Sequence, residues 1–464
     1  MVFLKYFSYI SSKIKEASPI RIIVSSFFII IVLGTILLML PISSKNNVST
    51  DIIDSIFVAT SSTCVTGLTV FDTWSHWSIF GQIIIITLIQ LGGLGLITFT
   101  TGFTLLLRKK LELRDMNIAI KYTNGSMIDT TRLIRTILAV TFVCESLGAL
   151  LLSIRFIPKY GLYGLWVSIF TSISAYCNAG FDILGFEYPG CSLCNYSSDP
   201  LVMITVSLLI ILGGIGFIVM VDIYSNISKR IKKEEYHPRL TINSTIVLTA
   251  TFYLLVIGTV LFLLLENSHS LKGMSISDKI ITSFFQSTTL RTAGFSAVQV
   301  TEHHDITKIL EIFLMFIGAS PSSTGGGIKT TTMVVLLVTV VSVLRGSDDT
   351  IVKGHKVPKF TVYRALTIVV LWMLILMVDT SILEMAEATK SFSAIDLIFE
   401  AVSALGTVGL SAGITPDLSW ISKMVLSLTM FIGRVGPISL IVALTLRKKT
   451  RTHSILPDGK IIVG

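Results

Sequence analysis

Long runs of apolar residues alternate with shorter mixed segments along the whole chain. A helix needs about 20 apolar residues to cross the hydrocarbon core of a bilayer. Runs of this kind lie at 20–42, 79–107, 133–154, 201–221, 244–265, 309–344, 362–378 and 424–446. The run at 309–344 contains a segment rich in serine and glycine, so its helix is expected to be broken. The pattern predicts an all-α polytopic membrane protein with eight transmembrane helices.

Four mixed segments of about a dozen residues lie between these runs. They occupy 51–62, 162–174, 275–289 and 393–404. A helix of this length reaches about 18 Å, which is roughly half of a bilayer. Each segment leads into a related glycine-bearing stretch: TCVTGLTV, YCNAGFDI, LRTAGFSA and ALGTVGLSAG. The sequence therefore predicts half-length helices that enter the membrane and return through a glycine.

The glycines of these stretches recur at nearly constant spacing. Gly67, Gly180, Gly294 and Gly409 are 113, 114 and 115 residues apart. The spacing predicts four repeats of outer helix, half-length pore helix, glycine loop and inner helix around one pore. Their expected bounds are 20–115, 116–230, 231–346 and 347–446, with cytoplasmic segments at 1–19 and 447–464.

Non-helical backbone at membrane depth is tolerated where it is buried in protein or lines a water-filled path. Glycine permits the positive φ that aims successive carbonyls inward, and it leaves no side chain in the path. Rings of carbonyl oxygens can replace the hydration shell of a cation, and the negative ends of the preceding helices favour a cation. The glycine stretches therefore indicate a cation selectivity filter.

Composition and charge support a membrane protein and give it an orientation. Of 464 residues, 52% are hydrophobic and 14% are charged, whereas soluble domains carry about a quarter charged residues. If the N-terminus is cytoplasmic, the cytoplasmic segments hold 26 of the 37 Lys and Arg residues and the outer segments hold 8. The positive-inside rule then places both termini in the cytoplasm. The net charge of +9 needs no nucleic-acid partner.

Motifs for enzymes, nucleotides and metals are missing from the sequence. There is no nucleophile–base motif, no H-E-x-x-H and no phosphate-binding loop, so we predict no enzyme activity and no bound cofactor. The C-x-x-C of Cys191 and Cys194 has no second ligand pair for zinc, although the two thiols could pair in an oxidising exterior.

These residues resemble the Trk/Ktr/HKT superfamily of potassium transporters over about residues 20 to 446. The resemblance implies potassium selectivity, because all four filter positions are glycine here. The implied filter comprises Val65, Thr66, Gly67, Asn178, Ala179, Gly180, Thr292, Ala293, Gly294, Thr407, Val408 and Gly409. The family also has a small-residue gate loop in its third inner helix and an arginine in its fourth. The implied gate comprises Gly318, Ala319, Ser320, Pro321, Ser322, Ser323, Thr324, Gly325, Gly326, Gly327, Lys329 and Arg434.

Eight spans favour the Ktr branch of this superfamily. The resemblance implies a homodimer in the plasma membrane, docked on a cytosolic ring of RCK-type subunits that bind ATP or ADP. We expect the loops 229–239 and 346–360 to dock that ring and Gly464 to approach the dimer interface. Potassium is the expected transported ion, with sodium as a candidate stimulator. The alternative is a cation-coupled secondary transporter with a midplane site.

Other residues carry narrower expectations. Arg291 is expected to hold the filter by hydrogen bonds, Asn178 is a candidate to line the path, and Lys329 either snorkels or tethers the gate loop. Asp182 and Glu400 are expected to brace the filter, and Glu145 to pair internally. Small residues at helix contacts allow close packing, and this interpretation covers Gly92, Gly95, Gly213 and Gly216.

Overall fold

The structure is a computed structural model, and it describes residues 19–106, 130–188, 190–231, 240–347, 349–437 and 439–441. Several predictions from sequence fall outside these ranges. They are most of the N-terminal segment 1–19, the part of the docking loop at 232–239, the tail 447–464 and Gly464.

The described chain is largely helical. In order, its helices are α1 (Pro19–Leu38), α2 (Ile52–Cys64), α3 (Thr73–His76), α4 (Ile79–Leu106), α5 (Thr130–Tyr160), α6 (Leu162–Cys177), α7 (Pro200–Ile215), α8 (Phe217–Ile231), α9 (Ile242–Glu266), α10 (Ile276–Thr289), α11 (Asp305–Phe316), α12 (Thr330–Leu344), α13 (Lys359–Ala386), α14 (Ala394–Gly406) and α15 (Trp420–Val435). A two-stranded hairpin, β1 (Ile351–Val352) and β2 (His355–Lys356), connects α12 to α13. Short 3-10 helices lie at Pro41–Ser43, Cys194–Tyr196, Val300–Glu302 and Thr415–Asp417.

Four of the described helices, α1, α5, α9 and α13, are long and apolar enough to cross a membrane by themselves. The bent pair α7 and α8 adds a fifth if it is counted as one span. The long helices turn apolar side chains outward, as in Phe142 (72% exposed), Leu264 (71%) and Met377 (63%). An apolar outer surface of this kind suits lipid contact. The eight-span count remains a prediction.

Four shorter helices, α2, α6, α10 and α14, follow the four long ones, and we call them the short helices. Three of them begin at a capping side chain: Asp51 accepts from the Ile53 N–H at 2.9 Å, Ser275 from Asp278 at 3.2 Å and Ser393 from Ile395 at 3.3 Å. Such caps satisfy backbone donors that the helix leaves free. Capping therefore fixes where the buried helices start.

The short helices form the centre of the packing. Each contributes a phenylalanine with 0% exposure, namely Phe57, Phe170, Phe285 and Phe399. These residues are 113, 115 and 114 apart in the sequence. Burying an aromatic side chain stabilises the fold by about 1.5–3 kcal/mol. The four side chains thus anchor the short helices at equivalent depths.

The sequence predicts small-residue breaks in two inner spans, at LGGLG (91–95) and at LGGIG (212–216), and the structure differs between them. Helix α4 runs without interruption through the LGGLG segment at 91–95. The span 201–221 is bent by 97° at Gly216, where φ is +99°. A positive φ is accessible to glycine at little cost and cannot continue a right-handed helix. The bend therefore occurs at the glycine between α7 and α8.

Ion pairs join distant parts of the chain on the predicted outer side. Lys308 of α11 lies 2.7 Å from Asp396 of α14, and Lys423 of α15 lies 2.9 Å from Asp54 of α2. Each pair links a later helix to the first turn of a short helix. A carboxylate in that turn also interacts favourably with the helix dipole. Cys191 and Cys194 form a disulfide in the connection between α6 and α7.

Candidate functional site

Each short helix is followed by a residue with positive φ that lies two positions before a glycine. The glycine loops, as we call them, are 65–67, 178–180, 292–294 and 407–409. Their first residues have positive φ: Val65 (57°), Asn178 (59°), Thr292 (67°) and Thr407 (50°). The glycines also have positive φ: Gly67 (104°), Gly180 (71°), Gly294 (78°) and Gly409 (92°).

Positive φ at a non-glycine residue costs of order 1–3 kcal/mol and persists where the surroundings impose it. Val65 and Thr407 are β-branched, which makes the conformation still less favourable for them. The same strained pattern nevertheless recurs in all four loops. It turns the chain out of the helix and reverses the direction of successive peptide groups.

The four loops meet one another in a closed cycle. A Cβ built on each glycine would meet the carbonyl oxygen that precedes the next glycine in the cycle. The pairs are Gly67 with Ala179, Gly180 with Ala293 (2.7 Å), Gly294 with Val408 (2.5 Å) and Gly409 with Thr66. Since real Cβ atoms do not approach oxygen this closely, glycine is required at each position. Main-chain oxygens from four distant segments thus lie side by side.

Equivalent hydrogen bonds hold the loops in place. The amide before each glycine donates to a carbonyl near the end of the short helix: Thr66 to Ser61, Ala179 to Ser174 and Val408 to Ser403 at 2.8 Å, and Ala293 to Thr289 at 2.9 Å. The hydroxyls of the same four residues also bind the loops. Ser61 and Ser403 accept from the N–H groups of Gly67 and Gly409, both at 3.1 Å.

In the second and third loops the hydroxyls act as donors. Ser174 donates to the carbonyl of Phe181 and Thr289 to that of Phe295, both at 2.7 Å. We did not predict these four hydroxyl residues. The recurrence of Ser or Thr five or six positions before each glycine is visible in the sequence and could have identified them.

Later helices pack tightly against the ends of the short helices. A Cβ on Gly92 would overlap the carbonyl oxygen of Thr63, and one on Gly213 would overlap that of Tyr176. Gly433 of α15 lies against Leu405 in the same way. Gly92 and Gly213 therefore lie at close helix contacts, as expected for packing glycines. Gly216 differs, because it lies at the bend and next to the carbonyl of Pro321.

The segment 318–327, which we call the interrupting loop, separates α11 from α12. It lies directly against the third and fourth glycine loops. A Cβ on Gly325 would overlap the hydroxyl of Thr292, and one on Gly326 would overlap that of Thr407. The loop thus touches the first residues of two glycine loops. An ion that passed between the four loops would meet this segment next.

Backbone hydrogen bonds define the shape of the interrupting loop. The Gly318 N–H donates to the carbonyl of Ile328 at 3.0 Å, and the Ala319 N–H to that of Gly326 at 3.2 Å. Its two arms are therefore paired with each other. At the bend, the Ser320 N–H donates to Gly214 at 3.0 Å, and Ser322 accepts from Phe217 at 2.8 Å. These contacts connect the loop to both sides of the α7–α8 bend.

Two cations bind the interrupting loop. Arg434, 7% exposed, donates to the carbonyl oxygen of Thr324 and to that of Gly92. Lys329 donates through Nζ to the carbonyl of Gly325 at 2.8 Å and of Gly326 at 3.3 Å. Two interpretations of Lys329 were open: its side chain snorkels to the membrane surface, or it tethers the gate loop. Its contacts match the second. Arg434 contacts the loop, as expected, and also joins it to α4.

Pro321, Ser323 and Thr324 complete the interrupting loop. The Ser323 hydroxyl donates to the carbonyl of Ser320 at 2.7 Å. The Thr324 hydroxyl donates to the carbonyl of Tyr176 at 3.2 Å and to the Asn178 Oδ1 at 3.3 Å. The threonine therefore connects the loop to the second glycine loop as well.

The side chains of Asn178 and Arg291 differ from expectation. Asn178 is fully buried, and its Nδ2 donates to the carbonyl oxygen of Arg291 at 3.2 Å. Its amide thus bridges the second and third loops and the interrupting loop, and does not line an open path. The guanidinium of Arg291 is 8% exposed, and its Nε and Nη2 have no hydrogen-bond partner among the described residues. Arg291 therefore participates through its main chain.

Three acidic residues were also singled out. Glu400 accepts from the hydroxyl of Ser411, the N–H of Ala412 at 3.1 Å and the hydroxyl of Thr415 at 2.9 Å. It braces the segment after the fourth glycine loop. Among the described residues, Asp182 accepts a hydrogen bond only from the Leu184 N–H, at 2.9 Å. Glu145 accepts from Gln90 Nε2 at 3.0 and 3.2 Å inside the protein.

The atoms at the centre that could bind an ion are almost entirely main-chain carbonyl oxygens. Among the described residues, no group of three or more His, Cys, Asp or Glu side chains is arranged to hold a metal ion. Carbonyl oxygens without a fixed negative charge suit a weakly hydrated monovalent cation that must enter and leave. The negative ends of four helices point toward the same region and favour positive charge there.

Comparison with known proteins gives one consistent result. The family model TrkH, described as cation transport protein, matches residues 4–451. The potassium/sodium uptake protein NtpJ of Enterococcus hirae is 38% identical over 456 residues, which cover 97% of this chain and 98% of that protein. Ktr system potassium uptake protein B of Bacillus subtilis is 36% identical over 449 residues, covering 96% and 97%.

A solved structure has the same fold. The crystal structure of the potassium transporter TrkH from Vibrio parahaemolyticus aligns with a TM-score of 0.68 and covers 91% of this chain and 85% of that one. Its sequence identity is 17%, so this likeness concerns the fold alone.

Proposed function

Since the chain belongs to the TrkH family of cation transport proteins, we propose that it is the ion-conducting membrane subunit of a Ktr-type potassium uptake system. Members of the family are transporters, and this chain is a multi-pass membrane transporter and not an enzyme. The names of two similar proteins refer to uptake of potassium, or of potassium and sodium. Potassium is therefore the proposed main cargo.

In this proposal the chain has eight spans in four units around one pore. The long helices α1, α5, α9 and α13 are the outer helices, the short helices are the pore helices, and α4, α7–α8, α11–α12 and α15 are the inner helices. The repeated left-handed residues and glycines support this assignment. The distribution of Lys and Arg supports cytoplasmic termini. The plasma membrane is the location that we propose for an uptake protein of this kind.

The closed cycle of glycines and carbonyl oxygens carries the proposal. Potassium sheds its water against the carbonyls of the four glycine loops and moves down its electrochemical gradient, drawn in by the negative interior. The tight approach of each glycine to its neighbour's carbonyl leaves no room for a side chain. Selectivity then depends on all four glycines together.

Below the filter, the interrupting loop acts as the gate. Its contacts with the hydroxyls of Thr292 and Thr407 support this role, as do the hydrogen bonds that Arg434 and Lys329 donate to it. A cation bound to the loop also adds an electrostatic barrier beneath the filter. Opening requires the loop to leave these contacts.

We propose that a cytosolic RCK-type ring binds ATP or ADP and moves the gate, and that two copies of the chain form the membrane dimer. The word system in the Ktr relative's name is consistent with additional subunits. The hairpin after α12 carries Lys353, His355 and Lys356 and offers a basic docking surface for the ring. Sodium stimulation is part of the proposal, and the name of NtpJ refers to uptake of sodium beside potassium.

Rubidium uptake into proteoliposomes tests the function. The wild-type protein should take up Rb⁺ with a preference over Na⁺, and Gly409→Ser should reduce that preference by roughly tenfold or more, equivalent to about 1.4 kcal/mol. Gly273→Ser is the matched control, because nothing lies within 4 Å of a Cβ at Gly273. An unchanged preference in Gly409→Ser would overturn the filter. Rb⁺ uptake that requires a co-transported ion would instead favour the coupled carrier.

A further inference from the structure

A buried histidine–glutamate pair lies behind the third glycine loop. His303 ends the short turn Val300–Glu302 and is 5% exposed, and Glu311 of α11 is fully buried. The His303 Nδ1 lies 3.2 Å from both carboxylate oxygens of Glu311. The proposed ion path does not use either residue.

The same carboxylate holds the third pore helix. Gln286 of α10 is fully buried, and its Nε2 donates to Glu311 Oε1 at 2.8 Å. Three residues after Gln286 the helix ends, and the loop 292–294 follows. Glu311 therefore joins the pore helix, the segment after the loop and the inner helix. A movement of the Glu311 carboxylate would therefore also move the end of α10.

Several charged groups surround His303. Glu311 and Lys308 face it from α11, and Glu266 faces it from the end of α9. Lys308 is itself paired with Asp396 at 2.7 Å. Glu266 accepts hydrogen bonds from the N–H of His304 at 3.0 Å and from the Thr307 hydroxyl.

Neutral groups complete the surroundings of His303. The ring of Phe262 meets the imidazole edge-on at 5.3 Å between centroids, and His303 Nε2 has no partner among the described residues. Burial most strongly disfavours the charged imidazolium, but the nearby carboxylates of Glu311 and Glu266 together outweigh burial and raise the pKa of His303 above its ordinary value.

We propose, on the basis of the function proposed above, that Glu311 and His303 are positioning residues for the third pore helix and that protonation of His303 from the outer solution sets the affinity of the filter for potassium. Protonated His303 compensates the buried carboxylate, which then holds Gln286 firmly. Deprotonation of His303 leaves the Glu311 carboxylate with neutral hydrogen-bond donors. Because a buried carboxylate without a counter-charge is costly, the group rearranges and the hold on α10 weakens.

The direction with pH follows from the raised pKa. A raised pKa means that the stabilising pair is complete below the ordinary pKa of histidine and is lost as pH rises through the higher value in the folded protein. The filter therefore binds its ion most tightly in acidic and neutral medium. Affinity falls as the outer solution becomes alkaline.

The test measures Rb⁺ uptake into proteoliposomes between outer pH 6 and pH 9, with KM and maximal rate determined separately. In the wild-type protein KM should rise by roughly threefold to tenfold over this range, because the stabilising pair is lost as pH rises. His303→Gln and Glu311→Gln should each have a KM that is independent of pH. His304→Gln is the matched control, because that neighbouring imidazole is exposed, and it should keep the wild-type profile.

Each result separates the alternatives. A wild-type KM that does not change with pH, or a pH profile retained in His303→Gln, would overturn this inference while uptake itself upheld the proposed function. Complete absence of Rb⁺ uptake by the wild-type protein would overturn the proposed function. If His303→Gln does not fold, Glu311→Gln carries the same test. The double variant should match the single ones, and an additional pH effect in it would contradict a shared mechanism.

Discussion

Arg434 donates a hydrogen bond to the carbonyl oxygen of Thr324, 110 residues earlier in the chain. The bond joins α15 to the interrupting loop, and a second bond from the same guanidinium reaches Gly92 of α4. Three distant parts of the chain thus share one buried cation. These two bonds offset the cost of burying the charged guanidinium only in part, since Nε has no partner among the described residues.

Replacing Arg434 by methionine should release the gate. A hydrogen bond from a charged group contributes about 1.5–3 kcal/mol, so losing one such bond should raise the open fraction by roughly tenfold or more. Rb⁺ uptake into proteoliposomes without the cytosolic partner measures the effect. Arg155→Met is the control, because that side chain is half exposed and pairs with Asp199 at the surface. Equal uptake by the two variants would contradict the assigned role.

Gly213→Ala should damage the protein much more than Gly214→Ala. A Cβ on Gly213 would overlap the carbonyl oxygen of Tyr176, whereas one on Gly214 would lie 3.5 Å from the Asn178 amide, an ordinary contact. Overpacking costs about 1–3 kcal/mol. Thermal unfolding in detergent and Rb⁺ uptake should both show the difference. Similar stability of the two variants would mean that α7 can move away from α6.

Ser403→Ala should weaken ion binding at the fourth glycine loop. The substitution leaves the buried N–H of Gly409 without its acceptor, which costs about 1–3 kcal/mol. We expect a higher KM for Rb⁺ and a smaller preference over Na⁺. The control is Ser427→Ala, whose hydroxyl donates only within its own helix to Lys423. A wild-type KM in Ser403→Ala would show that the loop keeps its shape without this bond.

The pair Lys423–Asp54 should stabilise the contact between the end and the beginning of the chain. The side chains are 12% and 17% exposed and 2.9 Å apart, so solvent screens them little. A double-mutant cycle with Lys423→Met and Asp54→Asn should give a coupling of about 1–3 kcal/mol in unfolding free energy. The exposed pair Lys356–Asp349 should give less than about 1 kcal/mol. Equal coupling energies for the two pairs would show that burial does not determine the strength of the coupling.

The arrangement of the glycine loops could be anticipated because its determinants are periodic in the sequence. Four equally spaced glycines in apolar surroundings indicate irregular backbone that must be buried, and the structure brings these four together. The interrupting loop was also located correctly, because proline and three consecutive glycines cannot continue a helix. The four buried phenylalanines and the hydroxyl residues before the glycines recur just as regularly, and we overlooked them.

Other features depend on contacts that no local pattern reveals. The segments LGGLG and LGGIG are nearly identical, yet the first continues a straight helix and the second bends by 97°. The difference lies outside the helices, because Gly216 contacts the carbonyl of Pro321 and Phe217 donates to Ser322. The direction of the Arg291 side chain likewise depends on tertiary packing. Sequence alone therefore marks both segments as candidate breaks and does not show which of them bends.

The meeting of Gly409 with the carbonyl of Thr66 has a consequence for biosynthesis. These residues are 343 positions apart, and the cycle of four loops is complete only when they touch. During translation the fourth loop is synthesised last, and until it leaves the ribosome the first three loops are held in the membrane by their own helices. Under the proposed function, a chain that stalls before this point lacks the complete cycle of carbonyl oxygens, so we expect an unfinished copy not to conduct ions.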